Sequence, residues 1–253
     1  MEAVLPTVEW VDTVGSTNSE LKAVAAGRPH GYVLAARSQT AGRGQRGNSW
    51  EAAPGENLTF SMLLKLRNLR PSEQFYISEA VALGVAETLE EYLSSGERVM
   101  VKWPNDIYVG DRKICGILIE NTIAGGGAIS HSVAGVGVNI NQRRFYSDAP
   151  NPVSLYQITG TLYSLEELSE RISERILHRL AQADLPLDDG RMALHKDYLE
   201  RLWRGNGVFP FRLPDGTLFE ASVGSVAPDG LLTLNLADGT SRSFYFKEVA
   251  FVL

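Results

Sequence analysis

Two clusters of glycine and charged residues have the types and spacing needed to act on an anionic substrate. In the first, residues 42–47 read GRGQRG. Glycine lets the backbone adopt positive φ angles and bring its N–H groups close to a ligand, while Arg43 and Arg46 add fixed positive charge. This combination favours an anion with several oxygens, such as a nucleoside triphosphate. A solvated loop that needs glycine only for turning explains the pattern as well. The pattern is not the dinucleotide-binding fingerprint, because that fingerprint requires a tight strand-to-helix turn.

The second cluster is the sequence KWPND at residues 102–106, which is followed by Lys113. Lys102, Asp106 and Lys113 all lie at the ends of neighbouring predicted strands. Lysine suits a carboxylate and a phosphate held together, and an ionised aspartate can hold Mg²⁺ or orient a nucleophile. A structural cluster of ion pairs is an equally good explanation. Trp103 alone is more typical of a core residue than of a ligand wall.

The overall composition excludes several classes of protein. The chain has 253 residues and a formal net charge of -6, so its surface as a whole has no general attraction to nucleic acid or an anionic membrane. The single cysteine, Cys115, excludes an intrachain disulfide and is predicted to be a small core residue rather than a nucleophile. The four histidines lack metal-ligand spacing, and we find no signal peptide or membrane-spanning run. We therefore expect a cytoplasmic protein without structural zinc.

The elements that must position these clusters alternate between strands and helices. Thr17 and Glu20 form a capping-box pattern that predicts the start of the first helix, and Ser164 with Glu167 predicts another. Runs rich in β-branched and apolar residues predict strands on either side of the helices. The predicted strands are 8–14, 31–36, 58–65, 99–102, 114–120 and 132–139, and the predicted helices are 17–27, 71–96, 164–183 and 189–203.

The sequence pattern changes after Gly205 from long predicted helices and strands to short strand candidates. Residues 206–253 hold five short strand candidates separated by the Asp-Gly pairs 215–216, 229–230 and 238–239. Such turns between short strands are typical of a small antiparallel barrel. We therefore expect two domains, one covering residues 1–205 and carrying the candidate site, and the other covering residues 206–253.

The motifs taken together resemble those of biotin protein ligases. SerThrAsn at 16–18, GRGQRG at 42–47, KWPND at 102–106, Lys113 and GVGVNIN at 135–141 occur in the order and at the spacing of that family. The chain resembles the monofunctional type without an N-terminal DNA-binding domain. The resemblance implies an α+β fold in which a mixed β-sheet is flanked by helices, related to class II aminoacyl-tRNA synthetases, with a C-terminal SH3-like β-barrel.

The resemblance also implies a role for individual residues. Ser16 and Thr17 additionally have the residue types that cap a following helix. Residues expected to bind biotin are Ser16, Thr17, Asn18, Gln39, Gly42, Trp50, Lys113, Gly116 and Leu118. Residues expected to bind the nucleotide are Arg43, Arg46, Trp50, Lys102, Asn105 and Asn139. Residues expected to act in catalysis are Lys113, Arg43, Arg46 and Asp106, of which Asp106 is also the candidate metal ligand.

The implied reaction converts biotin and ATP, with Mg²⁺, into biotinyl-5'-AMP and then transfers biotin to a lysine of a biotin carboxyl carrier protein. No covalent enzyme intermediate is needed, no nucleic acid or membrane takes part, and an exposed sheet edge could pair two chains. Three alternatives stay open: a lipoate or octanoate ligase, a biotin-responsive transcription regulator and a noncatalytic biotin-binding protein. The regulator would need a DNA-reading module, which the sequence does not suggest.

One residue departs from the family pattern. Many members carry a second arginine in the glycine-rich loop where this chain has Gln45. A neutral amide loses a charge-assisted contact to the adenylate or its surroundings. We therefore expect looser retention of the reactive intermediate.

Overall fold

The fold is described from a computed structural model of the chain. It describes residues 5–45, 50–147, 149–184 and 189–253. Arg46 lies outside the described residues, so its expected contact with the nucleotide stays a prediction.

The larger part of the molecule is built on a seven-stranded mixed sheet. Its strand order is β1-β2-β3-β7-β6-β5-β4, with β1 parallel to β2 and each other neighbouring pair antiparallel. The edge strands are β1 and β4, and pairing of two chains through an edge stays a prediction. The strands are β1 (Thr7–Val14), β2 (Tyr32–Gln39), β3 (Leu58–Leu64), β4 (Val99–Lys102), β5 (Asp106–Val109), β6 (Arg112–Ile123) and β7 (Ile129–Val138).

Helices flank this sheet, as the fold class requires. Helices α2 and α4 pack closely against each other. A Cβ on Gly84 of α2 would lie 2.8 Å from the backbone of Ile176, so a larger residue there would force the two helices apart. Helix α2 also packs against β4, β5 and β6, and it is buried along almost its whole length. The helices are α1 (Thr17–Val24), α2 (Phe75–Glu90), α3 (Leu155–Thr159), α4 (Leu165–Ala183) and α5 (Asp189–Glu200), with 3₁₀ turns at Ala25–Gly27 and Pro71–Glu73.

Helix α1 begins at Thr17 as predicted, but the capping box of Thr17 and Glu20 is not formed. Ser16 occupies the N-cap position, and the Thr17 hydroxyl donates to Gln39 instead. Strand β5 and helix α3, which are only four and five residues long, were not predicted. At the start of α4 the predicted helix start and N-cap are confirmed, since Ser164 Oγ accepts the Glu167 N–H at 3.2 Å; the return bond from the Glu167 side chain that would complete a capping box is not formed.

Residues 208–251 form a second, five-stranded antiparallel sheet of order β11-β10-β9-β8-β12, in agreement with the expected small barrel. Its strands are β8 (Val208–Arg212), β9 (Leu218–Val226), β10 (Leu232–Leu236), β11 (Ser241–Phe244) and β12 (Ala250–Phe251). Each expected Asp-Gly turn has its glycine at positive φ, between 83° and 95°. In each, the aspartate carboxylate accepts the N–H two residues later, which stabilises the turn. The domain boundary at residue 205 stays a prediction.

None of the helices in the described part of the chain is both long enough and apolar enough to span a membrane.

Candidate functional site

One cavity of about 880 Å³ collects the residues that the sequence singled out. It lies over β6 and β7 and is bordered by residues 43–45 and 50–51, by the 102–106 turn, and by residues 145, 147 and 149–152. Of the described residues expected at a site, Gly42 alone does not line the cavity; its carbonyl accepts the Trp50 N–H at 3.3 Å and closes the base of the loop. The expected residues that line it are Ser16, Thr17, Asn18, Gln39, Arg43, Trp50, Lys102, Asn105, Asp106, Lys113, Gly116, Leu118 and Asn139.

A network of uncharged polar groups lies where α1 meets β2 and β3. Gln39 Oε1 accepts the Thr17 backbone N–H at 2.8 Å and lies 3.2 Å from the Thr17 hydroxyl. Ser61 Oγ is hydrogen bonded to Asn18 Oδ1 at 2.5 Å and lies 2.8 Å from Thr17 Oγ1. The sequence interpretation missed Ser61, although a serine inside the apolar run LTFSMLL is a signal of a buried polar contact.

Glu120 of β6 is a second residue that the sequence interpretation missed. Its carboxylate accepts hydrogen bonds from Asn18 Nδ2 and Lys22 Nζ, each at 3.2 Å, and pairs with Arg43 at 3.3 Å. Burial alone would raise the pKa of Glu120, but these donors and charges outweigh burial and lower it. Arg43, expected to bind phosphate, thus lies against Glu120 and also donates to Ser19 Oγ at 3.3 Å. Its role toward a nucleotide stays a prediction.

An ion pair between Lys113 and Asp106 lies on the cavity wall, with Nζ 2.6 Å from Oδ1. In the β5–β6 hairpin Asp106 pairs with Gly116 and Tyr108 pairs with Lys113, and the register shifts between these pairs. In a regular strand residues 113 and 116 would project from opposite faces, and the bulge is what puts Lys113 on the same face as Asp106. The bulge therefore brings both charged side chains to the face that borders the cavity.

Lys102 adds a second ammonium group to this wall. Burial lowers its pKa; Asp106 acts in the opposite direction, while Lys113 and Arg204 reinforce the lowering. The Lys102 ammonium lies 5.3 Å from the centre of the Tyr108 ring, where the aromatic face partly replaces water. A largely desolvated cation beside a cavity suits an anionic ligand that arrives with its own negative charge.

Trp50 covers a floor made of glycine. A Cβ on Gly137 would lie 2.5 Å from the indole ring, and one on Gly116 would lie 3.0 Å from it, so the ring rests directly on the backbone of β6 and β7. Lys113 Nζ is 5.7 Å from the ring centre. The Trp50 Nε1 atom is buried without a hydrogen-bond partner among the described residues. The side chain expected beside biotin therefore packs flat against the backbone of β6 and β7.

Trp103 is both core residue and cavity wall. It is 4% exposed, and its Nε1–H donates to the carbonyl of Gly230 in the second sheet at 3.1 Å. Its ring also meets the Phe246 ring edge-on, with centroids 6.4 Å apart. The two interpretations that the sequence left open for this tryptophan are thus compatible.

The two asparagines expected to bind the nucleotide differ in the hydrogen bonds of their side-chain amides. Asn105 Nδ2 donates to the Ile117 carbonyl at 2.7 Å and so holds the 102–106 turn against β6. Asn139, 3% exposed, donates its Nδ2 to the Val153 carbonyl at 3.1 Å. The Oδ1 of Asn139 is buried with no partner among the described residues, which leaves an acceptor available beside the cavity.

Asp106 was also expected to bind a metal. The described residues contain no group of three His, Cys, Asp or Glu side chains that could hold an ion. Mg²⁺ at nucleotide sites needs only one or two carboxylates together with substrate phosphates, and it keeps several waters. A single carboxylate at the cavity wall fits that manner of binding and does not fit a metal site made by protein alone.

Comparisons with known proteins agree with the geometry. The sequence pattern of the "Biotin/lipoate A/B protein ligase family" matches residues 12–139. The chain is 30% identical to the biotin--[acetyl-CoA-carboxylase] ligase of Paracoccus denitrificans, over 67% of this chain and 71% of the relative. It is 37% identical to the bifunctional ligase/repressor BirA of Salmonella typhimurium over 59% of this chain, which spans only 43% of that relative.

The fold has a close counterpart among solved structures. The biotin protein ligase from Aquifex aeolicus, in complex with biotin and ATP, superposes with a TM-score of 0.76 over 96% of this chain and 97% of its own, at 23% identity. At that level of identity the likeness establishes the shared fold.

Proposed function

Because the chain belongs to the biotin/lipoate A/B protein ligase family, we propose that it is a biotin protein ligase. It activates biotin with ATP to biotinyl-5'-AMP and then transfers biotin to a lysine of a biotin carboxyl carrier protein. The observation that carries the proposal is the Lys113–Asp106 pair at 2.6 Å, on the wall of a cavity that is also lined by an uncharged polar network and by Asn139, whose Oδ1 has no partner in the part of the chain that the structure describes.

The uncharged network suits the ring end of biotin. A ureido group has two N–H donors and one carbonyl acceptor, and it carries no charge. Thr17, Gln39 and Ser61 lie together and offer hydroxyl and amide groups that include both hydrogen-bond donors and acceptors. The Trp50 ring, which lies on the glycine floor, offers an apolar surface that suits the apolar part of the ligand. Ser16, Asn18, Gly116 and Leu118 complete this part of the lining.

The charged wall suits the activation step. The carboxylate oxygen of biotin attacks the α-phosphorus of ATP, and the bond to the β-phosphate oxygen breaks to release pyrophosphate. Lys113 and Lys102 neutralise the negative charge that accumulates on the oxygens. Asp106 holds Lys113 in position, and a Mg²⁺ bound with ATP would neutralise further phosphate charge. Asn139 Oδ1, which is buried and has no hydrogen-bond partner among the described residues, is an acceptor suited to the amino group of adenine.

The transfer step requires that water be kept out. Biotinyl-5'-AMP is a mixed anhydride prone to hydrolysis, and we expect Trp50 at the cavity wall to help shield it from water until the carrier arrives. The neutral amine of the carrier lysine attacks the acyl carbon and AMP leaves with the bonding pair. Asp106, at the cavity wall, is placed to accept a hydrogen bond from the incoming amine.

An ATP–pyrophosphate exchange assay tests the proposal. We expect exchange that depends on biotin and is lost in Lys113→Ala, while Lys196→Ala, an exposed lysine on α5, retains it. Exchange with lipoate or octanoate instead of biotin would support the lipoate ligase alternative. Biotin binding without exchange would support a noncatalytic binder.

Three further expectations belong to this proposal. The barrel boundary at residue 205 predicts that limited proteolysis cuts near Gly205 before either sheet is degraded. A cytoplasmic location follows from the need for ATP and a carrier protein. Pairing of two chains through a sheet edge predicts a mass in solution that changes with protein concentration.

A further inference from the structure

Glu51 joins two segments of the cavity that are far apart in sequence. Its Oε1 accepts the Tyr146 backbone N–H at 3.0 Å, and its Oε2 accepts the Ser147 backbone N–H at 2.8 Å. Gln142 Nε2 donates to the same carboxylate at 3.2 Å. Glu51 directly follows Trp50 in the chain. The residue that binds the 145–147 segment is therefore the neighbour of the tryptophan that covers Gly116 and Gly137.

The segment that Glu51 holds is irregular, since residues 142–147 belong to no helix or strand. Its first part has other contacts: Gln142 Nε2 donates to the Arg144 carbonyl at 2.8 Å, and Gln157 Nε2 donates to the Arg143 carbonyl at 3.0 Å. The N–H groups of Tyr146 and Ser147 bond to Glu51. Phe145 and Ser147 line the cavity. Gln142 extends the connection, because its Oε1 accepts the Ala53 N–H at 3.1 Å and also bonds the buried Asn57. The contacts thus run from the loop after Trp50 to the segment that borders the cavity.

The contact uses the charged form of Glu51. Burial alone would raise the pKa of this carboxyl, but hydrogen bonds from Ser147, Tyr146 and Gln142 outweigh burial and lower it. Hydrogen bonds between backbone N–H groups and an ionised carboxylate are stronger than those between neutral partners. A neutral amide in place of Glu51 has one acceptor oxygen instead of two, and it cannot bond both N–H groups equally well.

We propose that Glu51 is a positioning residue that couples the two sides of the cavity: it sets the Phe145–Ser147 segment against the nucleotide when biotin has fixed Trp50. Biotin then raises the affinity for nucleotide, and nucleotide raises the affinity for biotin by the same factor, as linkage requires. This inference rests on the proposed function, because it takes biotin to lie beside Trp50 and the nucleotide to lie beside Phe145.

The test measures binding of biotin and of α,β-methylene-ATP, each alone and in the presence of the other, by titration calorimetry. In the unchanged protein we expect biotin to tighten binding of the analogue by about tenfold, a typical coupling. Glu51→Ala is expected to reduce that factor to about one while biotin alone binds within about twofold of its original affinity. Glu51→Gln is expected to give an intermediate factor. Glu56→Ala is the matched control, because Glu56 lies nearby in the chain and its side chain is exposed.

Every outcome is informative. A coupling factor that Glu51→Ala leaves unchanged overturns the proposal. A loss of affinity for both ligands together with a lower melting temperature also overturns the proposal, because a residue with a purely structural role would give that result. Independent binding of biotin and analogue in the unchanged protein overturns the coupling and leaves the proposed function intact. No biotin binding at all overturns the proposed function, and the coupling with it.

Discussion

The ammonium of Lys113 and the carboxylate of Asp106 lie 2.6 Å apart because a bulge in the β5–β6 hairpin turns both side chains to the same face. The lysine is 30% exposed and the aspartate 19% exposed, so the pair is accessible from the cavity without being fully solvated. A lysine held in this way has a fixed direction toward a ligand rather than the freedom of a surface side chain.

Substitution of Lys113 and substitution of Asp106 should affect different steps of the reaction. For Lys113→Ala we expect biotin-dependent pyrophosphate exchange to fall at least about 100-fold, equivalent to about 2.7 kcal/mol of lost transition-state stabilisation. For Asp106→Asn we expect transfer to the carrier lysine to slow more than exchange, because the amide keeps a contact to Lys113 but accepts the incoming amine less well. Single-turnover assays of the two steps separate these effects, and equal losses in both would contradict the assignment of Asp106.

The glycine floor provides a second prediction. Gly137→Ala places a methyl group 2.5 Å from the present position of the Trp50 ring, so the indole must move. We expect biotin affinity to fall about tenfold, about 1.4 kcal/mol, and the intrinsic fluorescence to change. Gly126→Ala is the control, since its Cβ would meet no atom within 4 Å. Unchanged affinity in Gly137→Ala would show that Trp50 takes no part in binding.

The neutral loop residue Gln45, which lines the cavity, should affect the fate of the intermediate. We expect the unchanged protein to release more biotinyl-5'-AMP and to label more bystander lysines than Gln45→Arg, because arginine adds a charge-assisted contact to the adenylate. Labelling of serum albumin added to the reaction provides the measurement. Equal labelling by the two proteins would refute the expectation.

A buried pair far from the cavity predicts how stability depends on pH. Glu79 of α2 is fully buried, and its Oε1 lies 2.7 Å from His195 Nδ1 on α5. Burial raises the pKa of Glu79 above 4.5, although His195 opposes this, and the hydrogen bond to Glu79 raises the pKa of His195 above 6.5. Both groups bind protons more tightly in the folded chain than in the unfolded chain. The contribution of His195 is therefore fully present below pH 6.5 and is lost as the pH rises through its raised pKa.

Urea denaturation at about pH 6 and about pH 8.5 measures this effect. We expect the free energy of unfolding to be smaller at the higher pH, and the difference to shrink in Glu79→Gln/His195→Gln, where neither residue ionises. Tyr198 and Tyr76, which also contact this pair electrostatically or by ring packing, are kept in that variant. A difference of the same size in both proteins would contradict the assignment.

The strands and the turns of the small sheet were predictable because their signals are local, whereas the expected site residues came from the family resemblance. Runs of apolar and β-branched residues marked six of the seven strands of the large sheet, and the Asp-Gly pairs marked the turns of the small one. The missing strand, β5, has only four residues and directly follows the Trp-Pro-Asn turn, so too little sequence separates it from a loop.

The contacts made across the fold were not predictable in the same way. Glu120 and Glu51 are ordinary acidic residues in the sequence, and their importance comes from partners 102 and 95 residues away. The Thr17 capping box failed for a similar reason, because Gln39 on β2 competes for the threonine hydroxyl. Periodicity and spacing carry no information about such tertiary competitors.

The hydrogen bond from the Trp103 indole to Gly230 limits how freely the parts of this protein can be exchanged. The 227–231 turn of the second sheet also supplies the Pro228 carbonyl that accepts the Phe75 N–H at the start of α2, at 2.9 Å. A chimera that receives its C-terminal sheet from another member of the family must rebuild both acceptors, or it leaves a buried indole N–H unpaired at a penalty of about 1–3 kcal/mol. The barrel sequence and the tryptophan of the KWPND turn are therefore expected to change together when such proteins diverge or are recombined.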